Sequence, residues 1–78
     1  MPHISVKMLK GRTDGQKEKL ARTLQKTLME SLNCGESHVS VAIEDYTPQQ
    51  WQDIFKQEIA DKDEHLFIKP GYDPKSLL

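Results

Sequence analysis

Two runs of alternating hydrophobicity enclose a single leucine stripe, and that order leaves few folds open. In residues 3–9, Ile4, Val6 and Met8 fall on one side and His3, Ser5, Lys7 and Leu9 on the other. This is the period-two pattern of a half-buried strand. Gly11-Arg12-Thr13 interrupts it. Thr13-Asp14-Gly15-Gln16 has the spacing of a capping box, with Thr13 as N-cap and Gln16 three positions on. Leu20, Leu24, Leu28 and Leu32 then recur every four residues beside Ala21 and Ser31, while Lys17, Lys19, Arg22, Gln25, Lys26 and Glu30 fill the other face. That is an amphipathic helix. Asn33-Cys34-Gly35 ends it, and Gly35 is the expected left-handed residue past the end. Residues 38–44 alternate again, with Val39, Val41 and Ile43 set against His38, Ser40, Ala42 and Glu44. Strand, helix and strand in this order predict an α+β class fold. It is a β-α-β unit of two parallel strands with a right-handed helical crossover.

After this unit, Thr47-Pro48 reads as an N-cap followed by proline at the first helical position. Trp51, Ile54 and Phe55 space a shorter helix, Asp61-Lys62-Asp63-Glu64 reads as a polar loop, residues 65–69 as a short closing strand, and 70–74 as a turn. The 78 residues read as one domain. A chain this short buries only about 60% of its unfolded surface, so it needs a staple, a metal or a partner. Cys34, the single cysteine, excludes an internal disulfide and is expected in the helix-ending turn. There is no CxxC and no His/Cys cluster at metal-ligand spacing, and His3, His38 and His65 share no ligand pattern. No metal and no organic cofactor is therefore expected. Sharing a core remains: a homodimer whose four-stranded sheet carries both long helices on one face.

Eleven basic residues against twelve acidic ones give a net charge of −1. That balance argues against nucleic acid or an anionic membrane as the main partner. No apolar run is long enough for a membrane span or a signal peptide. A reduced, cytoplasmic location is expected.

The candidate chemistry starts at Met1-Pro2. A small second residue lets the initiator methionine be trimmed, which would leave Pro2 as a free secondary amine. An ordinary α-amino group has a pKa of roughly 7.7–8.0, and an apolar, cation-lined pocket lowers it toward the range of a general base. Arg12 and Trp51 are the accompanying candidates. Arg12 lies ten residues after Pro2, roughly 30 Å away along an extended strand. Two chains paired antiparallel across a two-fold axis bring the Pro2 of one chain to the Arg12 and Trp51 of the other.

These residues carry a resemblance. Pro2 ahead of an alternating strand, the run Leu9-Lys10-Gly11-Arg12-Thr13-Asp14-Gly15-Gln16-Lys17, and Val39-Ser40-Val41-Ala42-Ile43 together resemble the 4-oxalocrotonate tautomerase family. The likeness runs from Pro2 to about Trp51, so residues 2–51 correspond to the family core. The longer tail is most similar to that of the family's short dimeric members, and it implies that residues 52–78 form an extension engaged in dimer packing. The resemblance implies that Pro2 is the base moving a proton between enol oxygen and carbon. It implies that Arg12 binds the substrate carboxylate, that Trp51 keeps the proline dry, and that Leu9 lines the pocket. Ser40 stands where the family has a second arginine, so a dicarboxylate loses one charge-assisted contact worth roughly 1.5–3 kcal/mol. The expected small-molecule substrate is thus a 2-hydroxy-2-alkenoate monocarboxylate with an apolar or aromatic tail. Two other readings stay open: a hydratase or dehalogenase on unsaturated acids with Asp53 activating water, and a non-catalytic dimeric interaction module.

Overall fold

The computed structural model describes residues 1–78. In chain order it contains β1 (His3–Leu9), α1 (Asp14–Leu32), a 3₁₀ turn at Glu36–His38, β2 (Ser40–Tyr46), α2 (Pro48–Glu58), and further 3₁₀ turns at Ala60–His65 and Pro74–Leu77. These elements group into two units, Met1–Asp45 and Tyr46–Leu78.

In the first unit, β1 and β2 pair as neighbours in one two-stranded sheet. His3 meets Ser40 and Lys7 meets Glu44, each pair 37 residues apart. A constant difference in residue number is the signature of a parallel pair, because an antiparallel pair keeps the sum constant. The register therefore sets Ile4, Val6 and Met8 on the same face as Val41, Ile43 and Asp45. Helix α1 lies over this face: Lys17 forms an ion pair with Asp45, and Ala21, Arg22 and Gln25 border one groove with Val39 and Val41. The opposite face carries polar rungs. Lys7 Nζ donates to Ser5 Oγ at 2.8 Å and to Glu44 Oε1 at 3.3 Å.

Helix α1 begins as its sequence dictates. Thr13 Oγ1 accepts from the Gln16 N–H at 3.1 Å, and Gln16 Oε1 accepts from the Thr13 N–H at 2.9 Å, which satisfies two N–H groups the helix itself leaves open. Its half-buried stripe is Leu20, Ala21, Leu24, Gln25, Leu28 and Met29, whereas Ser31 and Leu32 are exposed. The left-handed residue comes two positions earlier than the glycine implies. Asn33 takes the left-handed slot at φ 54° and ψ 52°, with its N–H on the Met29 carbonyl. Asparagine tolerates that conformation better than other side chains. Gly35, at φ −84°, instead opens the next 3₁₀ turn. That turn takes up His38 and delays β2 to Ser40. Cys34 follows Asn33 in the helix-ending turn, as expected, with its N–H on the Met29 carbonyl at 3.3 Å.

In the second unit, α2 starts on Thr47 with Pro48 in its first turn. Gln50 completes a second capping box through 2.9 and 3.1 Å bonds. Trp51, 8% exposed, is the one buried hydrophobic residue of the chain. Tyr46 tilts against it at 6.4 Å between ring centroids, and Phe55 meets Tyr72 edge-on at 5.6 Å. Gln52 Nε2 donates to the Pro74 carbonyl at 2.8 Å and so ties the last turn to α2. Residues 65–69 form no strand, because no neighbouring strand pairs with them. Phe67 and Ile68 stand 101% and 88% exposed. Residues 61–64 belong to a 3₁₀ turn where the sequence suggested an irregular loop.

No helix is long and apolar enough to cross a membrane.

Candidate active site

The sequence-predicted residues of the first unit sit at the two ends of β1. At its beginning, Pro2 is half-buried, and its carbonyl accepts from the Ser40 N–H at 3.3 Å. The Ser40 hydroxyl is 2.6 Å from His3 Nδ1. Pro2, His3 and Ser40 thus form one cluster where the parallel sheet starts. The register produces it, since the first residue of β2 lies beside the first residues of β1.

At the other end, half-buried Leu9 closes the strand and Gly11 turns the chain at φ +133°. No atom lies within 4 Å of where a Cβ would stand, so the position calls for glycine on conformational grounds alone. Arg12 follows. Its Nη1 donates to the Leu9 carbonyl at 3.4 Å, a long contact, and no carboxylate pairs with it. The guanidinium stands one residue before the N-cap of α1. Its charge therefore adds to the positive end of the helix, partly offset by Asp14 in the first turn. An exposed, unpaired guanidinium at a helix start suits a planar carboxylate, which it can grip bidentately.

Trp51 is fixed inside the second unit, where its indole N–H donates to the Tyr72 hydroxyl at 2.9 Å. Asp53 lies exposed on the same helix. The groove bordered by Glu18, Ala21, Arg22, Gln25, Val39 and Val41 contains none of the predicted site residues.

Within one chain, then, Pro2 and Ser40 come together, as do Leu9 and Arg12, and β1 separates the two pairs. His3 reads from sequence as a strand-edge residue, with its place next to Pro2 the one feature that sets it apart from His38 and His65, and two further neighbours of the predicted residues escape that reading. Gly11 was read only as a break, and the Gly-Arg order was the hint that it aims the arginine. Tyr72 lies 21 residues from Trp51, and nothing local announces their bond.

Comparison with known proteins follows this geometry. The tautomerase family profile, described as tautomerase enzyme, matches residues 2–53. A probable tautomerase of Xylella fastidiosa (strain 9a5c) is 42% identical over 73 residues, covering 92% of this chain and 89% of the relative. Tautomerase PptA of Klebsiella pneumoniae (strain 342) is 41% identical, with 92% and 97% covered. Among solved structures, TomN, a 4-oxalocrotonate tautomerase homologue in the tomaymycin biosynthetic pathway, superposes with a TM-score of 0.62 at 30% identity, over 64% of this chain and 77% of TomN. YwhB, another 4-oxalocrotonate tautomerase homologue, gives 0.61 at 35% identity, over 63% and 80%.

Proposed function

The chain belongs to the tautomerase family, and from that membership we propose a cofactor-independent keto–enol tautomerase in which Pro2, freed by removal of Met1, is the general base. The observation that carries this reading is the position of Pro2. It is the first residue of the span matching the family and the residue on which the parallel sheet begins. The Pro2 amine takes the enol hydroxyl proton of a 2-hydroxy-2-alkenoate. The oxygen lone pair becomes the carbonyl π bond, the alkene electrons move to carbon, and that carbon recovers the proton from the prolinium. The net change is an isomerisation with no other reactant. Arg12 of the second protomer holds the carboxylate and stabilises the enolate charge that develops between the two proton transfers. Its unpaired state supports this role, because no internal ion pair has to be broken first.

The substrate class follows from Ser40. A neutral hydroxyl there supplies no second cation, so a monocarboxylate is favoured, and Leu9 and Trp51 are assigned as apolar walls for its aromatic or aliphatic tail. The assembly is a homodimer with sites shared between chains. Its support is a chain with a single buried hydrophobic residue and the exposed side chains of Phe67 and Ile68. Residues 1–78 act as one functional domain in this reading, with 52–78 engaged in dimer packing. A near-neutral charge and a free Cys34 support a cytoplasmic location.

The test has two stages. Intact mass of the purified protein is expected to lack one methionine. Stopped-flow ketonisation of an aryl-substituted 2-hydroxy-2-alkenoate, corrected for the uncatalysed reaction, is then compared for wild type and Pro2→Ala. Loss of catalysis in the variant is expected; wild-type turnover in Pro2→Ala removes the mechanism.

A further inference from the structure

We propose that His3 and Ser40 form a positioning pair for the Pro2 amine, an inference that rests on Pro2 being the base. A chain's first residues fray unless tied down. Once Met1 is gone, Pro2 is the terminal residue and its backbone carbonyl is its one handle to the sheet. That handle is a single bond from the Ser40 N–H at 3.3 Å, at the long end of the useful range and with no rung before it. Beside the backbone ladder that starts here, the adjacent residue adds a side-chain bond. His3 Nδ1 lies 2.6 Å from Ser40 Oγ.

Two bonds therefore converge on one residue. Ser40 holds the carbonyl of Pro2 with its backbone and the imidazole of His3 with its side chain. The Ser40 N–H makes the backbone bond that reaches Pro2 itself, ahead of the first residue of β1. A second attachment one residue on limits rotation about that bond, and with it the wander of the amine at the chain end. The chemistry of the pair suits a permanent clamp. A hydroxyl both donates and accepts, and Nδ1 accepts when bare and donates when protonated. The bond survives in either state of the imidazole, so His3 acts here as a tether and not as a second base. The next cross-strand side-chain bond on this face, Lys7 to Glu44 at 3.3 Å, lies four residues away from His3 and cannot substitute for it.

The test compares wild type, His3→Ala, Ser40→Ala, the double variant and the conservative Ser40→Thr. Readouts are ketonisation kinetics, the ¹⁵N titration of the Pro2 amine by NMR, and the urea midpoint. Misplacing a reacting group by about 1 Å costs up to roughly a hundredfold. Each single substitution is expected to lower kcat about tenfold with KM changed less than about twofold. The double is expected to lose no more than either single, since the pair acts as a unit. Ser40→Thr keeps the hydroxyl and is expected to keep kcat. The amine titration of the alanine variants is expected to move toward that of an unconstrained terminal amine. Unchanged kcat and amine titration, with only the urea midpoint lowered, would overturn the inference and leave Pro2 as the base. His3→Ala, at an exposed side chain, supplies the same readouts should Ser40→Ala fail to fold. Wild-type turnover in Pro2→Ala would overturn both.

Discussion

Arg12→Ala separates binding from folding more cleanly than other substitutions in this chain. The side chain is exposed, and the one bond it makes, to the Leu9 carbonyl, is 3.4 Å long. Its removal therefore breaks no ion pair and opens no cavity, and the urea midpoint is expected to stay with wild type. Catalysis is expected to change sharply. A hydrogen bond to a charged partner contributes about 1.5–3 kcal/mol. At about 1.4 kcal/mol per factor of ten, loss of one such contact lowers kcat/KM by roughly 12- to 150-fold, and a bidentate grip puts the loss at the upper end. Arg12→Lys keeps the charge without the planar fork and is expected to fall between the two. Stopped-flow ketonisation under kcat/KM conditions gives the numbers, and a urea titration of the same samples gives the stability control. A value of kcat/KM within about twofold of wild type, with an unchanged midpoint, would refute the assignment of Arg12 as the carboxylate anchor.

Substitutions at four other places probe separate links. Gly11→Ala places a side chain at φ +133°; it is expected to cost about 1–3 kcal/mol in urea unfolding and to lower kcat/KM as Arg12 is re-aimed, and an unchanged midpoint would contradict the strain argument. Lys17→Met leaves Asp45 without its cation, in a side chain only 21% exposed whose Oδ1 already lacks a partner. A loss of about 1–3 kcal/mol is expected, part of it restored by adding Asp45→Asn; no change in the urea midpoint would show that the pair does not stabilise the fold. Phe67→Ser and Ile68→Ser remove side chains that stand 101% and 88% exposed in the single chain. Sedimentation equilibrium is expected to report dimer association weakened by tenfold or more, from about 1.5–3 kcal/mol per buried side chain, and an unaltered Kd would take this segment out of the interface. Asp53→Asn is expected to leave every turnover intact, which removes the hydratase or dehalogenase reading; a hydration or dehalogenation activity lost in that variant would revive a water-activating role for that carboxylate.

What the sequence determined by itself is whatever is encoded at short range. Alternation at period two and leucines at period four mark β1, α1 and β2, because each pattern depends only on residues a few positions apart. Both helix starts were legible for the same reason: Thr13 with Gln16 satisfies the first N–H groups within one turn, and Thr47 stands as N-cap before Pro48, which has no N–H to satisfy. The family resemblance singled out Pro2 and Arg12 as well. The errors fall where a partner decides the outcome. Residues 65–69 have strand-like composition, but a strand exists only when its N–H and C=O groups find a neighbour, and none pairs there. Which of Asn33 and Gly35 takes the left-handed slot depends on where α1 runs out of carbonyls, a difference of two residues that composition does not resolve. Tertiary structure alone decided the 37-residue register that sets His3 and Pro2 against Ser40, the bond between Trp51 and Tyr72, and the unpaired state of Arg12. Each is a contact between residues distant along the chain, or the lack of one, and only the packed chain determines it.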